Sequence, residues 1–362
     1  NILGRYSNHY NDESSIVLQI YFDYTESEDD FFVDKRETTD IDFHHNFILP
    51  RQNIIWGAGF REIKNRTDHM GNMGSFVLDS DKKTDHTTTF FFQDEITLVE
   101  NTLFLTIGSK FEKNDYTDHE SQPSIKLGYQ YNANIFFWGS LAKAVSTPSR
   151  TASDAYLDFN AFNDTCSPAF GFTSDPELGC IIPINYEDLK ANTLYAKELG
   201  YRQIFSERLS IDNTLFYYDY RQSSGSTHLT DYVWGYEGVL NYQANNDWKL
   251  EASWTYNRGR NATNDKTLDD VPVNSGFFSS YYTFNEKIDV DLSYYYAGHT
   301  DKQDRYSRVD LRLGYHYSNT LEFSLVASNL FDSKHTEGNG DSKRANTNIE
   351  RAIIGKISYK FP

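Results

Sequence analysis

Lys287-Ile288-Asp289-Val290-Asp291-Leu292-Ser293-Tyr294-Tyr295-Tyr296 is the stretch whose reading decides the fold. Ile288, Val290, Leu292, Tyr294 and Tyr296 alternate with Lys287, Asp289, Asp291 and Ser293. A β-strand turns successive side chains to opposite faces, so this period of two gives one apolar face and one charged face. The pattern recurs downstream, where Val309, Leu311, Leu313 and Tyr315 oppose Arg308, Asp310, Arg312 and His316. At the end of the chain Ile353, Ile357, Tyr359 and Phe361 oppose Lys356, Ser358 and Lys360. Upstream, comparable segments of about ten to fifteen residues follow one another.

Alternation alone does not separate a soluble sandwich, whose apolar face is its core, from a membrane sheet. Length and connections do. Soluble strands run about five or six residues, whereas these repeatedly exceed ten, as a tilted membrane-crossing strand must. Short turns are expected near Asn11 to Ser14, Pro50 to Asn53, Glu100 to Asn101, Tyr131 to Asn134, Phe205 to Glu207, Ala244 to Asp247, Asn285 to Glu286 and Ser318 to Asn319. Longer polar loops are expected between them, near residues 25–31, 66–84, 113–122, 148–190, 221–230, 259–272, 298–306 and 332–349. Short turns alternating with long loops is the arrangement of a transmembrane antiparallel β-barrel, an all-β fold. The reading gives about sixteen full strands after a partial one in residues 1–10, within a single barrel domain over 1–362 that contains the long extracellular loop 148–190. Single-chain bacterial barrels have even strand numbers, so a chain opening mid-strand is expected to continue upstream. In a plugged barrel of about 22 strands, roughly five strands and the plug would lie there.

Composition narrows the classes further. Hydrophobic residues are 38% of the chain and the mean hydropathy is -0.65. No stretch approaches the roughly 18 to 20 apolar residues of a spanning helix, which excludes a helical membrane protein. Aromatics reach 16%, with 27 Tyr and 26 Phe, which suits girdles at two membrane interfaces. The net charge of -18 opposes binding to nucleic acid.

Five ordered motifs carry a family resemblance. Phe92-Gln93-Asp94-Glu95 resembles the FxQDE strand of TonB-dependent outer-membrane receptors, and Gly108-Ser109-Lys110-Phe111-Glu112-Lys113-Asn114-Asp115-Tyr116 is similar to the strand that follows it there. Lys143-Ala144-Val145-Ser146-Thr147-Pro148-Ser149-Arg150 is similar to the RAVRTPSR stretch, with Lys143 and Ser146 where Arg is usual. The run from Asp188 to Arg202 resembles the family's "nPdLkaEtl…ElGyr", with Asn192 in place of Glu, and Ala327-Ser328-Asn329-Leu330-Phe331-Asp332 matches "NLFD". Phe361 is followed by Pro362, displacing by one residue the terminal aromatic of such barrels. The resemblance covers nearly the whole chain. It implies residence in the outer membrane among lipid and lipopolysaccharide, TonB-dependent import, and TonB with ExbB and ExbD as partners through an N-terminal plug and box.

Physical chemistry reads the same motifs as architecture. Asn329 and Asp332 fall where a strand ends, and their short polar side chains can bond backbone groups that lose ladder partners. Pro148 lacks a donor and ends ladder pairing. Glu198 is expected to point to the polar interior, hydrated or paired with a basic neighbour.

Four features are candidates for binding chemistry. Cys166 and Cys180 lie in the longest loop with thirteen residues between them; export through an oxidising compartment favours a disulfide, stabilising the loop by about 3 kcal/mol. His69, Met70 and Met73 place imidazole and thioethers in one loop, a ligand set suited to copper. Acidic runs at Glu26, Glu28, Asp29 and Asp30, and at Asp265, Asp269 and Asp270, could attract cations, but neither has calcium-loop spacing and a solvated face explains them. Arg150, Arg258 and Arg260, with loop aromatics Phe159, Phe162, Phe170, Phe172 and Tyr232, could hold an aromatic, anionic ferric chelate; girdle packing is the plainer reading of those aromatics.

The sequence shows no G-x-S-x-G elbow, H-E-x-x-H or P-loop, so neither an enzyme nor a cofactor is expected. Active import of a scarce nutrient is the expected function, with a ferric siderophore as the default cargo and copper, cobalamin, haem or glycan as alternatives. A passive diffusion porin is the competing class. It would lack a plug-like domain of about 130 residues before its first strand.

Overall fold

The computed structural model describes residues 1–28, 32–69, 75–158, 173–175, 179–183, 190–224, 227–262, 264–268, 271–301, 303–337 and 348–361. The strands in chain order are β1 (Ile2–Asn11), β2 (Ser14–Glu28), β3 (Phe32–Leu49), β4 (Gln52–His69), β5 (Ser75–Leu78), β6 (Lys82–Val99), β7 (Leu103–Asn114), β8 (Asp118–Asn132) and β9 (Ile135–Ser146). After the short helix α1 (Arg150–Asp154) come β10 (Ala155–Asp158), β11 (Thr173–Asp175), β12 (Gly179–Pro183), β13 (Asn192–Ser206), β14 (Leu209–Ser224), β15 (Thr227–Asn245) and β16 (Trp248–Asn261). The series closes with β17 (Asn274–Phe284), β18 (Ile288–Ala297), β19 (Tyr306–His316), β20 (Leu321–Ser328), β21 (Lys334–Thr336), β22 (Asn348–Glu350) and β23 (Ala352–Tyr359).

The long strands make one 17-stranded antiparallel sheet, while β5 with β10–β12 form a four-stranded sheet and β21 with β22 a ladder of two. The chain divides into two compact units: residues 1–127, 141–195 and 220–230, and residues 128–140, 196–219 and 231–362.

Local chemistry explains the tight turns. Asn11 Oδ1 accepts from Glu13 N at 2.9 Å, Asn132 Oδ1 from Asn134 N at 2.8 Å, and Asn245 Oδ1 from Asp247 N at 2.9 Å. Each is an asparagine bonding its own backbone two residues on, which fixes a reversal without a ladder partner. Asn101 and Asn285 take positive φ, 55° and 49°, a region that asparagine tolerates better than most residues.

The strands outrun the polar loops expected at their far ends. β7 ends at Asn114 and β8 begins at Asp118, leaving only 115–117 of the 113–122 segment outside a strand. β2 likewise runs to Glu28, and β3 starts at Phe32. Ladder bonds are made by backbone, so a polar segment stays in the sheet when its charges find partners across the strands. Glu26 faces Lys35 in register and lies 3.4 Å from it, and Asp40 faces Arg61 at 2.7 Å.

Burial decides what alternation left open. In the second unit Leu313 and Tyr315 are 43% and 45% exposed, while Arg308, Asp310 and Arg312 on the other face are about three-quarters covered and ion-paired. In the first unit the same inversion puts Ile20, Phe22, Phe90 and Phe92 on an exposed face. Among the described residues the buried hydrophobics are Leu78, Ala155 and Phe216, fewer than the buried polar residues, which include Asn65, Thr67, Asp94, Asn114, Asp154 and Asn329. A sheet that shields its charges and presents its rings is ordered for lipid rather than water. On the apolar face of the first unit the Phe90 ring lies 6.5 Å from both Trp56 and Phe111. In the second unit Trp254 stacks on Tyr296 at 5.9 Å and leans over Gly276, where a Cβ would meet the indole at 2.7 Å.

Several motif residues have visible work. Asn329 is fully buried at φ 55°; its Nδ2 donates to the Ile349 carbonyl at 3.2 Å, and its backbone N–H donates to Asp310 at 2.9 Å. Glu198 finds hydroxyls rather than a basic partner, accepting from Tyr218 at 2.8 Å and Ser140 at 3.1 Å.

Candidate functional site

At the ends of β2, β3, β4, β6 and β7 remote from the tight turns, polar side chains of the first unit enclose a cavity of about 730 Å³. Register builds its wall. Arg36 pairs with Asn65, which pairs with Lys83; Ile63 pairs with Asp85; Arg61 pairs with Thr87, which pairs with Asn114. These rows share the polar face because β4 keeps its period of two through Arg61, Ile63, Asn65 and Thr67.

The remaining wall is the segment after β9. Pro148 ends the ladder. Ser149 then caps α1, its Oγ accepting from Ala152 N at 3.3 Å. Arg150 reaches back from the first turn, its guanidinium bonding Asn65 Oδ1 and the Ser80 carbonyl. Its Nε lies 3.6 Å from Asp154, beyond hydrogen-bond reach. Asp154 receives both bonds of Lys83 Nζ, at 2.9 and 2.8 Å, and the Asp154 carbonyl accepts from Asp79 N at 3.0 Å. β10 continues this strap by pairing with β5, Ala155 opposite Leu78. Asn65 and Thr67, both buried, share Asp34 Oδ1 at 2.6 and 3.0 Å.

Two ionisable groups outside the long strands are shifted. Burial disfavours charge on Asp154, but the hydrogen bonds from Lys83 and Ser153, with the charges of Lys83 and Arg150, together outweigh it and hold the carboxyl below its ordinary value. Burial, and next the hydrogen bond to Asp85, push the Tyr116 phenol up. Lys83 also sits 4.7 Å above the Tyr116 ring, and Asp85 Oδ1 has no hydrogen-bond partner. The cavity is thus lined by guanidiniums, hydroxyls, amides and carboxylate oxygens.

Of the residues singled out in the sequence, Arg150 is in this wall. Tyr232, Arg258 and Arg260 lie in the second unit, on β15 and β16. Tyr232 is opposite Arg260 in register and stacks on Tyr217 at 6.0 Å. Arg258 Nε donates to Tyr256 at 3.1 Å, and Arg260 is 3.1 Å from Asp265. Phe159, Phe162, Phe170, Phe172, Met70, Met73, Cys166, Asp269 and Asp270 lie outside the described residues; His69 ends β4 and Cys180 is in β12, and only their backbones are described. Asn65, Thr67, Lys83 and Asp154 were not singled out. Unbroken alternation of β4 into its polar end was the signal for the first two.

A family model described as TonB dependent receptor-like, beta-barrel matches residues 2–330. No curated protein matches the chain in sequence. Among solved structures, the siderophore receptor PirA from Pseudomonas aeruginosa is similar with a TM-score of 0.72 at 18% identity, over 99% of this chain and 64% of that one. The siderophore receptor PirA from Acinetobacter baumannii gives 0.75 at 16%, over 99% and 62%. The copper transporter OprC gives 0.75 at 14%, over 99% and 64%. The chain therefore spans less than two thirds of the length of these proteins.

Proposed function

We propose, from the premise that this chain belongs to the TonB-dependent receptor-like β-barrel family, that it forms most of the barrel of a receptor importing a ferric siderophore. Receptors of this family are outer-membrane transport proteins and not enzymes, and the exposed aromatic face accords with that location. The observation that carries the ligand reading is the strapped polar cavity, whose wall is built at the strand ends opposite the tight turns. Loops and strand ends on a rigid sheet are where such folds keep their specificity. Two similar structures are siderophore receptors.

In this reading energy arrives through TonB with ExbB and ExbD, acting on a plug carried by the intact receptor, and lipid and lipopolysaccharide surround the apolar face. Copper is the second reading, supported by the likeness to OprC and by His69, Met70 and Met73.

Uptake of radiolabelled iron from a panel of chelates tests this in strains carrying the intact receptor, with and without TonB. TonB-dependent uptake of one chelate is expected. Uptake equal to the empty strain for every chelate sinks the siderophore reading and moves copper ahead, while solute passage that ignores TonB favours a porin.

A further inference from the structure

The cavity wall carries charge in a particular way. Its guanidiniums are Arg36, Arg61 and Arg150. Arg36 is 3.5 Å from Asp34 and Arg61 is 2.7 Å from Asp40. Arg150 is held by Asn65 and Ser80. Lys83, behind the strap, is spent on Asp154. Arg36 and Arg61 are therefore ion-paired within the protein, while Arg150 is bonded by neutral oxygens and its buried Nε has no hydrogen-bond partner. The carboxylates Asp34, Asp85 and Glu112 also line the space, and Asp85 Oδ1 has no hydrogen-bond partner. Thr25, Thr87, Thr147 and Thr151 supply hydroxyls, which both donate and accept.

An anion of high charge entering such a space would meet carboxylates at short range, and at Arg36 and Arg61 it would compete with Asp34 and Asp40 for the cation. The net charge of -18 adds repulsion at longer range. A neutral ligand covered in carbonyl and hydroxyl oxygens meets neither barrier, and hydroxyl-lined walls match it. We propose that the cavity selects an electrically neutral iron(III) chelate of the trihydroxamate type and discriminates against trianionic tricatecholate chelates. In a trihydroxamate three singly charged ligands cancel the metal's charge, whereas three doubly charged catecholates leave the complex at minus three. This inference rests on the siderophore reading above and adds the charge class to it.

The test titrates the intact purified receptor with one ferric trihydroxamate and one ferric tricatecholate by calorimetry, at low and high salt. The expected result is a preference of at least 30-fold for the neutral chelate, with an affinity nearly independent of salt. Thr147→Val is expected to weaken the neutral chelate about tenfold, and Asp85→Asn to strengthen the trianion about tenfold. Asn at position 85 keeps an acceptor toward Tyr116, so its folding is protected. Tighter binding of the tricatecholate, with affinity falling steeply in salt, overturns the charge inference and leaves the siderophore reading standing. Binding of neither chelate overturns both.

Discussion

Clusters of ion pairs stand in both units, but they do different things there. In the second unit the Arg308 guanidinium lies 4.3 Å above the Tyr295 ring, 3.0 Å from Glu337 and 3.2 Å from Asp310. Glu337 in turn is 2.7 Å from His335 Nε2, and the buried His335 ring stacks on Tyr306 at 4.5 Å. Aromatic planes interleave with the charges and take up the space between strands. In the first unit the residues between the charges are mostly threonine, serine and asparagine, and the space is left as a cavity. Side-chain volume, more than charge, separates a clamp from a chamber. The clamp ties the end of β21 to β18 and β19, and the chamber is closed by the strap from Thr147 to Asp158.

Removing the central cation should separate the two most. Arg308→Met leaves Asp310 and Glu337 without their common partner, and loss of one member of a shielded pair costs about 3 kcal/mol. Amide exchange in the β21–β22 ladder should then quicken about 100-fold, with the strap amides unchanged. Less than a tenfold change would show that packing alone holds the clamp. Lys83→Met is the matching change in the chamber. Lys83 is 27% exposed, so solvent screening reduces the expected cost to about 2 kcal/mol. The reporter is the Asp79 amide, which donates to the Asp154 carbonyl, and its exchange should quicken about 30-fold.

The same bond can be broken by acid. The Asp154 carboxyl titrates below its ordinary value in the folded strap. Its stabilisation is thus present above the unfolded value of about 3.9 and is lost as pH falls through the lowered one. Exchange at Asp79 should be flat from neutral pH to about 5, after correction for intrinsic rates, and rise below about 4. A rise already at pH 6 would assign the strap to some other group. A smaller effect is expected at Asn329. Both Asn329→Gly and Asn329→Ala lose the bond to Ile349, but Ala must also take φ 55°, so it should be less stable than Gly by about 1 kcal/mol in urea unfolding.

Much of this architecture is written in the period of two. The alternation from Ile288 to Tyr296 places β18 and its faces, and asparagines place the reversals at Asn11, Asn101, Asn245 and Asn285. Alternation could not say which face meets water, because a sandwich and a barrel share it; exposure of Leu313 beside shielded Arg312 does. The ends of the strands were hidden for a different reason. Polarity was read as loop at 113–122, where the ladder in fact runs to Asn114 and resumes at Asp118. The cavity was legible only in Arg150. Lys83 and Asp154 lie far apart in sequence, and nothing local marks a pair made by the return of a strap.

Arg61 tests how much the chamber's charges matter to the fold at all. It is 56% exposed and its partner Asp40 is 18% exposed, with their atoms 2.7 Å apart. Exposed pairs gain little, since water competes for both charges and two long side chains lose freedom. Arg61→Gln should therefore cost about 0.5 kcal/mol or less, a shift in Tm of about 1 °C for a chain of this size. A drop of several degrees would mean that Arg61 is a structural clamp like Arg308. The cavity would then be held open by its ion pairs rather than by the small side chains between them, and the difference between the two units would be one of geometry instead of volume.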